Sequence, residues 1–63
     1  MAVGENIKRL REGAGLTQQE LADKCNVGRT FIAHIERGAK FPSLMLADDL
    51  AKIFSCGIDE LLK

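Results

Sequence analysis

The 63-residue sequence has no Trp or Tyr, three Phe, one Pro and two Cys, and its nine basic side chains are matched by nine acidic ones. Each shortage removes a class of protein. Two thiols without Cys-x-x-Cys spacing build neither a zinc ribbon nor a disulfide scaffold. No apolar stretch approaches the roughly 20 residues that cross a bilayer, and the start, MAVGENIKRLRE, lacks the long hydrophobic region of a secretory signal. A cytoplasmic location is expected. No phosphate loop, metal-ligand set or catalytic pair is present, so neither an enzyme nor a cofactor is expected.

Balanced charge, taken alone, also counts against a nucleic-acid partner. Its distribution qualifies that. Residues 1–42 hold Lys8, Arg9, Arg11, Lys24, Arg29, Arg37 and Lys40 against Glu5, Glu12, Glu20, Asp23 and Glu36, a surplus of two positive charges. Residues 43–63 hold Lys52 and Lys63 against Asp48, Asp49, Asp59 and Glu60, a surplus of two negative ones. The chain is polarised, and its basic end carries the most patterned stretch.

An apolar fraction of 46% with so few aromatics fits one small helical domain built on Leu, Ile, Val and Ala. A chain this short buries only roughly 60% of the surface it exposes when unfolded, so its stability is marginal, and any partner of the folded state, a second copy included, adds to it. Steps of 100° place Val3, Ile7, Leu10 and Ala14 on one face of a helix over about 4–14, which Gly13 and Gly15 end. Arg11 falls at the edge of that face, where a guanidinium needs a partner. Thr17 followed by Glu20 spells a capping box that starts a second helix, with Leu21, the small Ala22 and Cys25 inward. Asn26, Val27 and Gly28 form a turn, Asn26 tolerating the left-handed conformation. A third helix from Arg29 to about Arg37 buries Ile32 and Ile35, has Glu36 at one edge of the stripe and Phe31 at the other, and stops at Gly38. Its opposite face presents Thr30, Ala33, His34 and Arg37, with Arg29 at the tip. Such a face is commonly just solvated, but small Thr and Ala among hydrogen-bonding groups permit close approach to base edges. Pro42 and Ser43 start a fourth helix with Leu46, Ala47, Leu50, Ala51, Ile53 and Phe54 on its apolar arc and Met45 outside it. Ile58 to Leu62 makes a last short helix.

Together LTQQELADKCNVGRTFIAHIERG, the preceding LRE, and the following PSL, LAKIF and IDELL resemble the Cro/CI-type, or XRE, helix-turn-helix family of bacterial and phage regulators. The most specific part is LTQQELA with I-x-x-I-E-R-G at fixed spacing. That resemblance implies an all-α, compact, five-helix lambda-repressor-like domain acting as a stand-alone transcriptional regulator. It implies that Arg29, Thr30, Ala33 and His34 read bases in the major groove of double-stranded DNA. Gln18 would bond a phosphate or reach a base edge, and Arg37, Lys40 and Ser43 would sit near phosphates. Phosphate contacts of this kind fix register, and base contacts choose sequence. The resemblance also pairs Arg11 with Glu36 as a buried salt bridge. Two departures stand out. Asn26 replaces the usual Gly of the turn, and Gly28 replaces a Ser or Thr, which removes a hydroxyl that could cap the helix or donate to a phosphate.

Further expectations concern partners. One short helix reads few bases, so a homodimer on a two-fold operator is expected, paired through Ile58, Leu61 or Leu62 unless these close the core. Glu20 and Asp23 are either a solvated patch or a contact for RNA polymerase, as in some relatives. Cys25 and Cys56 read as small core residues, the alternative being a disulfide or a metal pair with His34; a switch role for His34 has no supporting constellation. No effector domain or small-molecule ligand is expected. The competing function is a protein-interaction module, such as an antitoxin that binds a partner protein and represses its own operon.

Overall fold

Five helices order residues 3–62, the part of the chain that the computed structural model describes: α1 Val3–Gly13, α2 Gln18–Cys25, α3 Arg29–Glu36, α4 Leu44–Ile53 and α5 Ile58–Leu61. Lys63, counted above among the basic groups, lies outside the described residues. Local chemistry sets most helix ends. Gly15 at φ +74° lets the Leu16 N–H return to the Arg11 carbonyl at 3.1 Å, closing α1. Ala14, expected on the apolar face, is exposed because the helix already ends at Gly13. At α2 the Glu20 N–H donates to Thr17 Oγ1 (3.0 Å) and the Thr17 N–H to Glu20 Oε1 (2.9 Å), the reciprocal box foreseen from the sequence. Asn26 adopts the left-handed conformation at φ 58°, and the Val27 N–H reaches back to the Ala22 carbonyl. Ser43 caps α4 by accepting the Leu46 N–H at 3.2 Å. Helix α4 ends at Ile53. Ser55 takes the left-handed conformation just beyond it (φ 54°), and Gly57 is the extended N-cap of α5.

The core joins all five helices. Ile7, Leu21, Ile32, Ile35, Leu50 and Leu61 are fully enclosed, with Ala22, Ala47 and Ala51 between them. Helix α2 packs on α3 and α4, α1 on α3 and α5, and α4 on α5. Leu61 was a candidate for pairing with a second copy. At 0% exposure its side chain instead closes the core, because α5 folds back over α1; Ile58 and Leu62 remain half-buried. Cys25 is buried, Cys56 packs half-buried against the core, and both are free thiols. Burial pushes the Cys25 thiol up, and Asp49 adds to the effect.

Two residues of α1 hold tertiary structure without carrying any signal in the sequence pattern. Asn6 is buried, and its Nδ2 donates to the carbonyls of Glu60 (2.9 Å) and Leu61 (2.8 Å), tethering α5 to α1; its Oδ1 accepts from Arg9. Those carbonyls belong to a helix of four residues, too short to persist alone. Asn6→Ala should therefore lower stability by about 1–3 kcal/mol, the cost of losing a buried amide's hydrogen bonds, measured as a fall in the urea midpoint with unchanged slope. Gly4 is the second. It lies against the last turn of α3, where an added Cβ would overlap the Ile35 carbonyl oxygen and stand 2.8 Å from that of Glu36.

Candidate nucleic-acid interface

The site begins with a buried charge. Arg11, on α1, and Glu36, at the end of α3, are both buried. Arg11 Nε donates to Glu36 Oε2 at 2.7 Å and Arg11 Nη2 to Glu36 Oε1 at 3.2 Å, a two-pronged pairing that ties α1 to α3. The remaining fork of the guanidinium donates to the Leu16 carbonyl at 2.8 Å. Hydrogen bonding to Glu36 pushes Arg11 above its usual value, against an opposing desolvation effect. Among the described residues no buried side-chain nitrogen or oxygen lacks a partner.

From this pair the network continues outward. Gln18, the first residue of α2, is half-buried, and its Nε2 donates to Glu36 Oε1 at 3.0 Å. Its Oε1 accepts from Nη1 of the exposed Arg29, the first residue of α3, at 3.4 Å. The tips of α2 and α3 thereby lie side by side. The family resemblance implied a role for Gln18 and the Arg11–Glu36 pair separately; helical periodicity does not join Gln18 to Glu36, which lie on different helices.

Along the outer face of α3, Thr30 is exposed, and Ala33 and His34 are half-buried, so the centre of the face is less open than its tip. Arg37 and Lys40 are exposed beyond the helix end. There the chain turns through Gly38 (φ +82°), and the His34 carbonyl accepts the N–H groups of Ala39 (2.8 Å) and Lys40 (3.3 Å), which fixes the path that carries both cations. Ser43 spends an oxygen lone pair on its cap, leaving the hydroxyl proton free to donate. Helix α3 has no acidic residue in its first turn and no side-chain cap at Gly28, so its N-terminal partial positive charge is unopposed locally. The acidic candidates behave differently. Glu20 is engaged in the capping box and Asp23 accepts from Gln19 Nε2 at 2.9 Å, although both remain exposed.

Apolar surface is concentrated elsewhere. Phe41, Leu44 and Met45 are 66%, 76% and 81% exposed at the α3–α4 loop and the start of α4; only Met45 was expected to be. No described helix is long and apolar enough to cross a membrane.

Comparison with known proteins places this geometry. A family model described as helix-turn-helix matches residues 7–61. The chain is 40% identical to the HTH-type transcriptional activator BcrR of Enterococcus faecalis across 98% of its own length, but spans only 30% of that relative. It is 42% identical to an HTH-type transcriptional regulator of Archaeoglobus fulgidus, covering 87% of this chain and 79% of the relative. Among solved structures, SinR, a master regulator for biofilm formation, in complex with DNA superimposes with a TM-score of 0.88 at 27% identity, covering 97% of this chain and 98% of that one.

Proposed function

We propose, from the premise that this chain belongs to the XRE-type helix-turn-helix family of DNA-binding transcriptional regulators, that its 63 residues act as one sequence-specific unit on double-stranded DNA. Helix α3 enters the major groove. The observation that carries this reading is the side-by-side seating of Gln18 and Arg29 at the tips of α2 and α3, with Arg37 and Lys40 exposed at the other end of the same helix. In this reading Arg29, Thr30, Ala33 and His34 meet base edges, while Gln18, Arg37, Lys40 and the free hydroxyl proton of Ser43 meet phosphates.

Two copies bind a two-fold operator, with half-sites about 34–36 Å apart. Ile58 and Leu62, half-buried at the C-terminal end, are the apolar groups offered for pairing there. Sedimentation over a dilution series tests this: Leu62→Glu should shift the dimer towards monomer, and an unchanged profile excludes that surface. Glu20 and Asp23 supply the acidic face for a polymerase contact. Their neutral variants should lose activation while keeping DNA affinity if the protein activates.

Arg29→Ala should reduce discrimination at one operator position by about 1–3 kcal/mol, roughly 5- to 150-fold, measured by competition between single-base operator variants. Lys40→Ala should weaken all sequences alike and flatten the salt dependence by about one phosphate contact. The second reading, a module whose main partner is a protein, rests on the exposed Phe41, Leu44 and Met45. Salt separates the two: affinity for DNA falls steeply with salt as counterions are released, whereas an apolar protein interface holds.

A further inference from the structure

We propose that the surface around Phe41, from Gly38 to Met45, docks a second protein through a segment that buries one large apolar side chain with acidic groups beside it, and that this partner and DNA exclude one another. The docking rests on the protein-partner reading above; the exclusion rests also on the DNA-binding one. Among the described residues, the large apolar side chains left exposed are Phe41, Leu44 and Met45. Single exposed apolar groups are commonly scattered, but these fall together in one loop and the helix start it leads into. Beside them is a place for an anchor. Val3 of α1 and Ile35 of α3, with Ala39, Lys40 and Phe41 of the loop, line a cavity of about 320 Å³. That is the lower end of the size that holds a ligand group, roughly 300–1,000 Å³.

Charge chooses the occupant. No acidic residue occurs between Arg37 and Ala47. Lys40 stands at the cavity, and Gly38 joins it to a neighbouring one lined by the exposed Lys8 and Arg37. Of the acidic groups there, Glu36 is committed to Arg11, which leaves Glu5 as the opposing charge. Acidic side chains resume at Asp48 and Asp49, one turn further into α4, and Asp48 is held by Lys52 at 3.1 Å. An apolar floor with a cationic flank is complementary to apolar and acidic groups carried on one segment. A duplex backbone supplies the charge but little apolar surface to cover three large side chains. A second copy has an acidic, apolar stretch in Ile58–Leu61, but that helix is packed on α1 and α4. A different protein is the occupant that fits. Its acidic groups take Lys40 and Arg37, the cations that the DNA-binding reading sets against phosphates, so seating it releases DNA.

The probe is a display library of short random peptides, selected on the full chain without DNA. Enriched peptides should share a large apolar residue with Asp or Glu near it. A synthesised member should lose affinity about tenfold or more in Phe41→Ser, the scale of a central anchor, and should weaken in Lys40→Glu. Lys24→Glu, the same charge reversal at an exposed position of α2, should leave it unchanged. All three side chains are exposed, so the variants should keep the fold, which circular dichroism checks. Added to the chain bound to a labelled duplex, the same peptide should displace the DNA, and Phe41→Ser should abolish that displacement. No enrichment, enriched peptides without acidic residues, or affinity indifferent to Phe41→Ser would overturn the docking surface. Peptide and DNA held together would overturn the exclusion. Sedimentation of the chain alone that shifts towards monomer in Phe41→Ser would assign the patch to a second copy, and DNA affinity lost in Phe41→Ser without peptide would assign it to the duplex; either result overturns the proposal. A chain that binds the peptide but no DNA keeps the docking surface and removes the DNA reading, with the exclusion that rests on it.

Discussion

Glu36→Ala should cost about 3–5 kcal/mol, because it strands the Arg11 guanidinium in the interior with only the Leu16 carbonyl and the distant Glu12 carboxylate, at 3.9 Å, as partners. A domain of this length holds roughly 3–9 kcal/mol in total. The variant should therefore be largely unfolded or close to it at 25 °C, seen as lost helical circular dichroism and a urea transition that has moved to near zero. Arg11→Met should behave similarly, leaving Glu36 buried against Gln18 alone. The informative case is the double substitution Arg11→Met with Glu36→Leu. Removing both charges removes both desolvation costs, and stability should return to within about 1 kcal/mol of the original or exceed it. Such a rescued domain would fold but lack the carboxylate that accepts from Gln18.

Gly4→Ala should be the second severe change, although it adds a single methyl to a helix, where Ala is ordinarily favoured over Gly by about 1 kcal/mol. The obstructing atoms are the backbone carbonyl oxygens of Ile35 and Glu36, which cannot rotate aside as a side chain would. Helix α1 must retreat from α3, and the pairing geometry of Arg11 and Glu36 loosens with it. A net loss of about 1–3 kcal/mol is expected. Gly13→Ala is the matched control: it lies in the same helix with nothing within 4 Å of its added Cβ, and it should be neutral or stabilising. Opposite signs from the two substitutions in one thermal-melt experiment would show that contact, not helix propensity, governs position 4. Equal gains from both would remove close packing as the reason for Gly4.

What was legible in the sequence was mostly local. The Thr17–Glu20 box, the left-handed Asn26, the stops at Gly15 and Gly38 and the Ser43 cap are each written within five residues, and each formed. The buried stripe of Ile32 and Ile35 follows from the 3.6-residue period and also formed. Tertiary detail was not legible in this way. A polar Asn6 inside an apolar helix face gives no sign of which carbonyls it will reach 54 and 55 positions away. Gly4 reads as a weak helix former until the backbone it touches is known. Leu61 satisfied the pattern of an interface residue and of a core residue equally, and only the return of α5 onto α1 decided for the core. At the interface the candidate residues fell on one side of α3, but the link from Glu36 through Gln18 to Arg29 depends on how α2 and α3 cross, which periodicity does not encode.

In the proposed function α3 reads DNA as one half of a symmetric pair. Selection from random-sequence duplex DNA, followed by sequencing of the bound fraction, tests it most directly. Enrichment of a two-fold motif is expected, with half-sites centred about one helical turn apart and the preference at one position in each half-site lost in Arg29→Ala. Recovery of no symmetric motif, or one indifferent to Arg29→Ala, would contradict it.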